Sequence, residues 1–278
     1  AAYHGYAGAM GRIVDYTIAD RRAVPPAGES GFAEALAFLP HSFQPNDDRR
    51  TPPGPAPTRV EAGLPAGGFV FCCFNHPWKI TPRIFDAWMA ILRRVPGSVL
   101  WLPASGDAVA HALAREAERR GVAARRLVFA ARLARHEHHL ARLRCADLFL
   151  DTHPYNAHAT ASDALWAGLP VLTLEGRAFH ARVAASLLAT CGLGDLVVDT
   201  LDAYVATAGT LAHDADALAD VRGRAARARS SSPLFDTRRT CRALEACYAH
   251  MAHRARAGLA PATFEVEETS EGYRIRSR

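Results

Sequence analysis

From residue 69 to residue 198, short unbroken apolar runs alternate with stretches of helical periodicity, and this alternation limits the possible folds more than any other feature of the 278-residue chain. Strands are expected at 69–74, 98–102, 127–130, 147–150, 171–174 and 196–198, with helices at 83–94, 107–120, about 136–144, 162–167 and 179–189. Three further helical stretches carry the pattern to about residue 256. Strands that are apolar on both sides need cover on both faces, and crossover helices supply it. The reading is α/β, a Rossmann-like lobe on a parallel sheet.

Proline and glycine crowd residues 49–68, RRTPPGPAPTRVEAGLPAGG, which reads as a linker between lobes. Residues 1–48 are too few for a domain and are expected to pack as the remnant of a second lobe. The main lobe is placed at 69–258. The tail, 259–278, is polar and mixed in charge and is expected to be unstructured or loosely docked.

With 49% apolar residues at this length, a sizeable core is expected. The formal charge of +5 is modest and its bases are interspersed with acids, so nucleic-acid binding is not implied. Six cysteines (Cys72, Cys73, Cys145, Cys191, Cys241, Cys247) show no CxxC spacing, and most lie in apolar stretches, which suits a reducing cytoplasm. No apolar run reaches the roughly 18 to 20 residues of a bilayer span, and AAYHGYAGAMG has no charged start followed by an apolar stretch. Neither membrane insertion nor secretion is expected. The chain begins with Ala1 in a glycine-rich segment and reads as a piece of something longer.

Ligands of open parallel sheets gather at the carboxyl ends of strands. Three loops there are unusually polar: FNHPWKITP at 74–82, ARLARHEHHLARLR at 131–144 and DTHPYNAHATASD at 151–163. The third brings Ala157, His158, Ala159, Thr160 and Ser162 to a helix entrance, where free N–H groups and the helix dipole favour a phosphate. An ordinary N-cap by Thr160 or Ser162, with Asp163 favouring the helix start, accounts for the same residues. Lys79 tips the balance. Of 33 basic side chains it alone is lysine, and a compact ammonium on a flexible stem after a buried strand suits a diphosphate. The run His136 to His139 lacks HExxH spacing because Leu140 stands at the fifth position, so no metal is expected. On a helix, His136 and His139 would share a face suited to stacking or hydrogen bonding.

The segments YHGYAGAMG, FNHPWKITP, PGSVLWL, LFLDTHPYNAHATASDALWAGLPVLTL, RVAASLL and SSPLFDT together resemble the catalytic region of the O-GlcNAc transferase and SPINDLY family, over residues 3 to about 258. The resemblance implies a GT-B glycosyltransferase whose C-terminal lobe holds UDP-GlcNAc. It implies transfer to Ser or Thr of proteins with inversion, without metal or other cofactor, and TPR repeats upstream that recruit acceptors. By motif, Lys79 corresponds to the lysine on the leaving diphosphate. His158, Ala159 and Thr160 correspond to the phosphate and sugar segment, and Asp163 to the ribose carboxylate. His139 would stack on uracil, with Arg142 and the Ala134 backbone at its edge. His76 stands where animal members have Gln, and His136 where they have a ribose-facing Lys. Ala159 replaces the first Thr of the family's Thr-Thr pair. Gly5 and Tyr6 would border the donor from the N-terminal lobe.

Two other readings use the same residues: an O-fucosyltransferase taking GDP-fucose, as plant SPINDLY members do, and a catalytically inert module that binds a nucleotide sugar. A structural Rossmann-like domain without ligand would leave unexplained why Lys79, the polar helix entrance and the histidine pair fall on separate strand-end loops.

Overall fold

The computed structural model describes residues 1–5 and 7–277. Two short parallel strands, β1 (Tyr16–Asp20) and β2 (Ala35–Leu39), precede the Pro/Gly-rich stretch. After it come β3 (Val70–Cys72), β4 (Val99–Pro103), β5 (Leu127–Ala130), β6 (Leu148–Leu150), β7 (Val171–Leu174) and β8 (Val197–Val198). These six form one parallel sheet in the order β5-β4-β3-β6-β7-β8. Between them run α1 (Pro82–Arg94), α2 (Asp107–Arg119), α3 (His136–Leu143), α4 (Ala159–Trp166) and α5 (Val183–Thr190). Three helices follow, α6 (Leu201–His213), α7 (Ala215–Ser231) and α8 (Thr237–Arg256).

The local reasons are those the periodicity suggests. Val70, Phe71 and Cys72 are buried on both sides of β3, so the strand is continuous in apolar character. Helix α1 begins where the Thr81 hydroxyl accepts the Ile84 N–H, with Pro82 at its first position, and it buries Ile84, Phe85, Trp88, Ile91 and Leu92. The expected helix over 179–189 is divided at Arg182, where φ is −128°. The Arg182 guanidinium reaches the carbonyls of Arg22 and Gly176.

The structure differs from expectation most at the chain's ends. The tail is ordered: β9 (Phe264–Thr269) and β10 (Gly272–Ser277) form an antiparallel hairpin, and β9 pairs in parallel with β2. Its mixed charge hides a period of two, in which Phe264 and Val266 point inward while the intervening glutamates face outward. The result is a second sheet, β1-β2-β9-β10, with its own core. Helix α8 packs there through Ala243, Cys247 and Met251, so the lobe expected to run to 258 gives up its last helix to the smaller layer.

The chain passes between the layers near residues 48 and 236, side by side. Asn46 donates to the Leu234 carbonyl at 3.2 Å, the Thr237 hydroxyl donates to the Asn46 carbonyl at 2.8 Å, and the Asp48 N–H donates to that hydroxyl at 3.0 Å. The intervening linker is fastened as well. Arg59 pairs with Asp147 at 2.7 Å and donates to the carbonyls of Cys145 and Gly68.

Candidate functional site

In the order β5-β4-β3-β6-β7-β8, β3 and β6 are neighbours whose following crossovers diverge, and such a point opens a crevice at the strand ends. The loops leaving these two strands carry His76, Lys79 and His158, and α4 follows with Ala159, Thr160 and Asp163. Their junction is Asp151, fully buried at the end of β6. Its Oδ1 accepts from Asn75 Nδ2 (3.1 Å), the Thr152 N–H (2.7 Å) and the Ala157 N–H (2.7 Å), and its Oδ2 accepts from the Thr173 hydroxyl (2.7 Å). Burial pushes this carboxyl up to about 6, against the pull of those donors and of Lys79.

Lys79 ends a 3-10 turn, Pro77–Lys79, in the loop after β3. Its ammonium donates to the Asn156 carbonyl at 2.8 Å and lies 4.3 Å from the centre of the Tyr155 ring. Burial holds its pKa below the usual lysine range, while Asp151 works in the opposite direction.

Opposite Lys79 stands the N-terminus of α4. The helix starts at Ala159, ahead of the expected 162, and His158 occupies the cap position without a side-chain cap bond. Neither Thr160 nor Ser162 caps it, so the ordinary capping account fails. The N–H groups of Ala161 and Ser162 bond the His158 carbonyl, whereas those of Ala159 and Thr160 have no protein acceptor among the described residues. The His158 ring stacks on Tyr155 at 5.1 Å. Burial, and then the Lys79 charge, push it down to about 4, which leaves it neutral at pH 7.

A second cluster lies where α3 meets α4. His139 is half-buried against the edge of Phe74 and accepts from Arg142 Nε at 3.1 Å. Burial first, then Arg142 and His136, push His139 down to about 4. The buried Arg142 also donates to the Ala131 carbonyl at 2.5 Å, so its guanidinium braces His139 from within the fold. Asp163, in the second turn of α4, takes Arg50 Nη1 at 2.8 Å and has His136 Nε2 at 3.5 Å. Burial raises its pKa, and His136 and Arg50 oppose the rise.

Other expected residues sit at the margin. His76 is exposed, with Nδ1 facing the Trp78 N–H at 3.5 Å, and Ala134 lies in the exposed loop before α3. Gly5, at φ 84°, turns the exposed backbone ahead of β1. Tyr6 lies outside the described residues. A cavity of about 530 Å³ lies along α3, walled by Pro57, Leu133, His138 and Arg142 and clear of Lys79 and His158.

Sequence reasoning passed over Asp151, Asn75, Tyr155, Asn156 and Arg50. A carboxylate ending an apolar strand was the available signal for Asp151; Arg50, in a proline-rich stretch, gave none. Among the described residues no three His, Cys, Asp or Glu side chains are grouped to hold a metal ion, and no helix is long and apolar enough to cross a membrane. Chemically, a cation, unpaired N–H groups and neutral imidazoles around one crevice suit a diphosphate, and the Asp163 cluster suits hydroxyls.

The model of glycosyl transferase family 41 matches residues 55–244. A relative from Arabidopsis thaliana, named a probable UDP-N-acetylglucosamine--peptide N-acetylglucosaminyltransferase SEC, is 35% identical over 277 residues, covering 96% of this chain and 28% of the relative. A Caenorhabditis elegans peptide N-acetylglucosaminyltransferase is 38% identical over 205 residues, or 73% of this chain and 18% of its own length. Among solved structures, a mutant O-GlcNAc transferase from Thermobaculum terrenum superposes with a TM-score of 0.82 at 32% identity, over 92% of this chain and 48% of that one. The chain thus spans well under half of the length of these curated relatives.

Proposed function

Since the chain belongs to glycosyl transferase family 41 and has the α/β architecture of GT-B glycosyltransferases, we propose that it is the donor-binding part of a protein O-GlcNAc transferase. The donor is UDP-GlcNAc and the acceptors are Ser or Thr hydroxyls of proteins recruited by TPR repeats upstream. The six unpaired cysteines favour work in a reducing cytoplasm.

One observation carries the reading: the Lys79 ammonium stands across the crevice from the uncapped N-terminus of α4, where the Ala159 and Thr160 N–H groups lack protein acceptors. A diphosphate between them meets positive charge on both sides. The acceptor oxygen attacks the anomeric carbon from the face opposite UDP and inverts it. The bond to the β-phosphate oxygen breaks, the electron pair leaves with UDP, and the hydroxyl proton passes to solvent. The negative charge that grows there is what Lys79 and the helix end stabilise, a preorganised electrostatic contribution. His158, neutral, can donate or accept a hydrogen bond beside the sugar without adding charge. His139 offers an uncharged ring for the base, and Asp163 offers an acceptor for ribose hydroxyls.

Calorimetric titration with UDP and with GDP tests the donor, and transfer of labelled GlcNAc to a Ser-containing peptide by the protein with its upstream sequence tests the reaction. UDP binding with transfer is expected. GDP binding without UDP binding would overturn the donor assignment in favour of GDP-fucose. UDP binding without transfer would favour the inert binding module.

A further inference from the structure

Asp163 is approached by the Arg50 guanidinium and by the His136 ring, and both address the same oxygen. Arg50 Nη1 lies 2.8 Å from Oδ1, and His136 Nε2 lies 3.5 Å from it. Among the described residues Oδ2 has no hydrogen-bond partner. Arg50 is itself held at several points. Its Nε donates to the Asp47 carbonyl at 3.2 Å, its guanidinium carbon lies 4.7 Å from the centre of the Trp166 ring, and both it and Asp163 are mostly buried. Its Nη2 is buried with no hydrogen-bond partner. Trp166 belongs to α4, the helix that carries Asp163 one turn earlier, so the guanidinium bridges two residues of one helix face.

A carboxylate rotates freely about its Cβ to Cγ bond unless something fixes it. Here one oxygen is fixed by a planar, always-charged group that is stacked in place, and the other is left to accept from outside. We propose that Arg50 is a positioning residue for the donor: it turns the Asp163 carboxylate so that Oδ2 accepts from the ribose hydroxyls of the nucleotide. This rests on the assignment of the crevice to a UDP-sugar. It adds that the proline-rich stretch from residue 49 is part of donor recognition and that its residue acts on sugar-hydroxyl binding, not on phosphate or base.

The test is the affinity of the protein for UDP and for 2′,3′-dideoxy-UDP, measured by calorimetry for wild type, Arg50→Met, Arg50→Lys and Asp163→Asn, with melting temperatures in parallel. Arg50→Met is expected to weaken UDP at least about 10-fold while leaving dideoxy-UDP unchanged, and to cost nothing further when added to Asp163→Asn. Arg50→Lys, which keeps the charge without the two-point hold, is expected to fall between; it carries the comparison if Arg50→Met does not fold. The proposal is overturned if the Arg50 variants bind UDP like wild type while Asp163→Asn does not, or if they lose UDP and dideoxy-UDP equally, as a general loosening would do. Absence of UDP binding by the wild type would overturn both this inference and the donor assignment beneath it.

Discussion

The Lys79 ammonium donates a 2.8 Å hydrogen bond to the backbone carbonyl of Asn156, a residue 77 positions away. This bond joins the loop after β3 to the loop after β6 across the crevice between two neighbouring strands. A charge held there by a carbonyl keeps its remaining donors for a ligand. Lys79→Met is therefore expected to lower kcat about 100-fold or more while changing the melting temperature little. Lys79→Arg should rescue poorly, because a broad planar guanidinium does not occupy the same space. Steady-state transfer kinetics alongside a thermal melt read both effects.

Asp151 is the structural counterpart of that charge. Asp151→Asn replaces one of two accepting oxygens by a donor and is expected to cost about 1–3 kcal/mol, since a buried bond is left poorly matched. The pH dependence has a definite sign. The carboxyl is pushed up to about 6 in the folded chain, from an ordinary 3.8, so its contribution to stability is full below 3.8 and is lost as pH rises through about 6. Urea midpoints for wild type and Asp151→Asn, compared from pH 4.5 to 7.5, should diverge in that window. A pH-independent difference would contradict the assignment.

His139 and His158 are both pushed down to about 4 by burial. In proton NMR their ring signals should titrate with midpoints near 4, well below the ordinary 6.5. Because their folded values lie beneath the ordinary 6.5, their contribution to stability is present above pH 6.5 and declines as pH falls toward 4. A midpoint near 6.5 for either ring would show that the packing around it is looser than described.

Arg142 lends His139 its orientation and part of its low pKa. Arg142→Met should raise the His139 midpoint and weaken UDP binding by about 10-fold, or ~1.4 kcal/mol. The readouts are the NMR titration and calorimetry. If affinity falls while the titration stays put, Arg142 touches the base directly and does not act through the histidine.

Phe264 anchors the terminal hairpin, buried beside Tyr16 and His250. Phe264→Ala is expected to destabilise the protein by about 3–5 kcal/mol. Glu271→Ala at the exposed turn of the same hairpin should stay within about 0.5 kcal/mol. Equal effects in chemical denaturation would mean that the tail is not part of the cooperative unit.

The large sheet was legible because both faces of each strand are buried, so apolar runs such as Val70 to Cys72 announce themselves without any partner. The pairing of Lys79 with the start of α4 was legible through composition, since Lys79 stands out from the arginines and the segment from His158 to Thr160 is polar where a helix begins. The small sheet was not. Its last strands alternate Phe264, Val266 and glutamates, a half-buried pattern that net charge conceals, and its parallel partner β2 lies far off in sequence. Asp151 and Arg50 escaped for a related reason. Their importance rests on what they bond across tens or hundreds of residues, and nothing in their immediate neighbours encodes those distances.

The two passages of chain between the layers, bonded to each other through Asn46, Asp48, Leu234 and Thr237, have a mechanical meaning. This strap is one tie of several: the buried Asp20 Oδ2 accepts from the Ser186 hydroxyl at 2.7 Å, and Arg182 donates to the Arg22 carbonyl at 2.8 Å, so the layers are fastened at separated places. Like boards joined by more than one dowel, layers fastened in this way keep a single registry and resist sliding past each other.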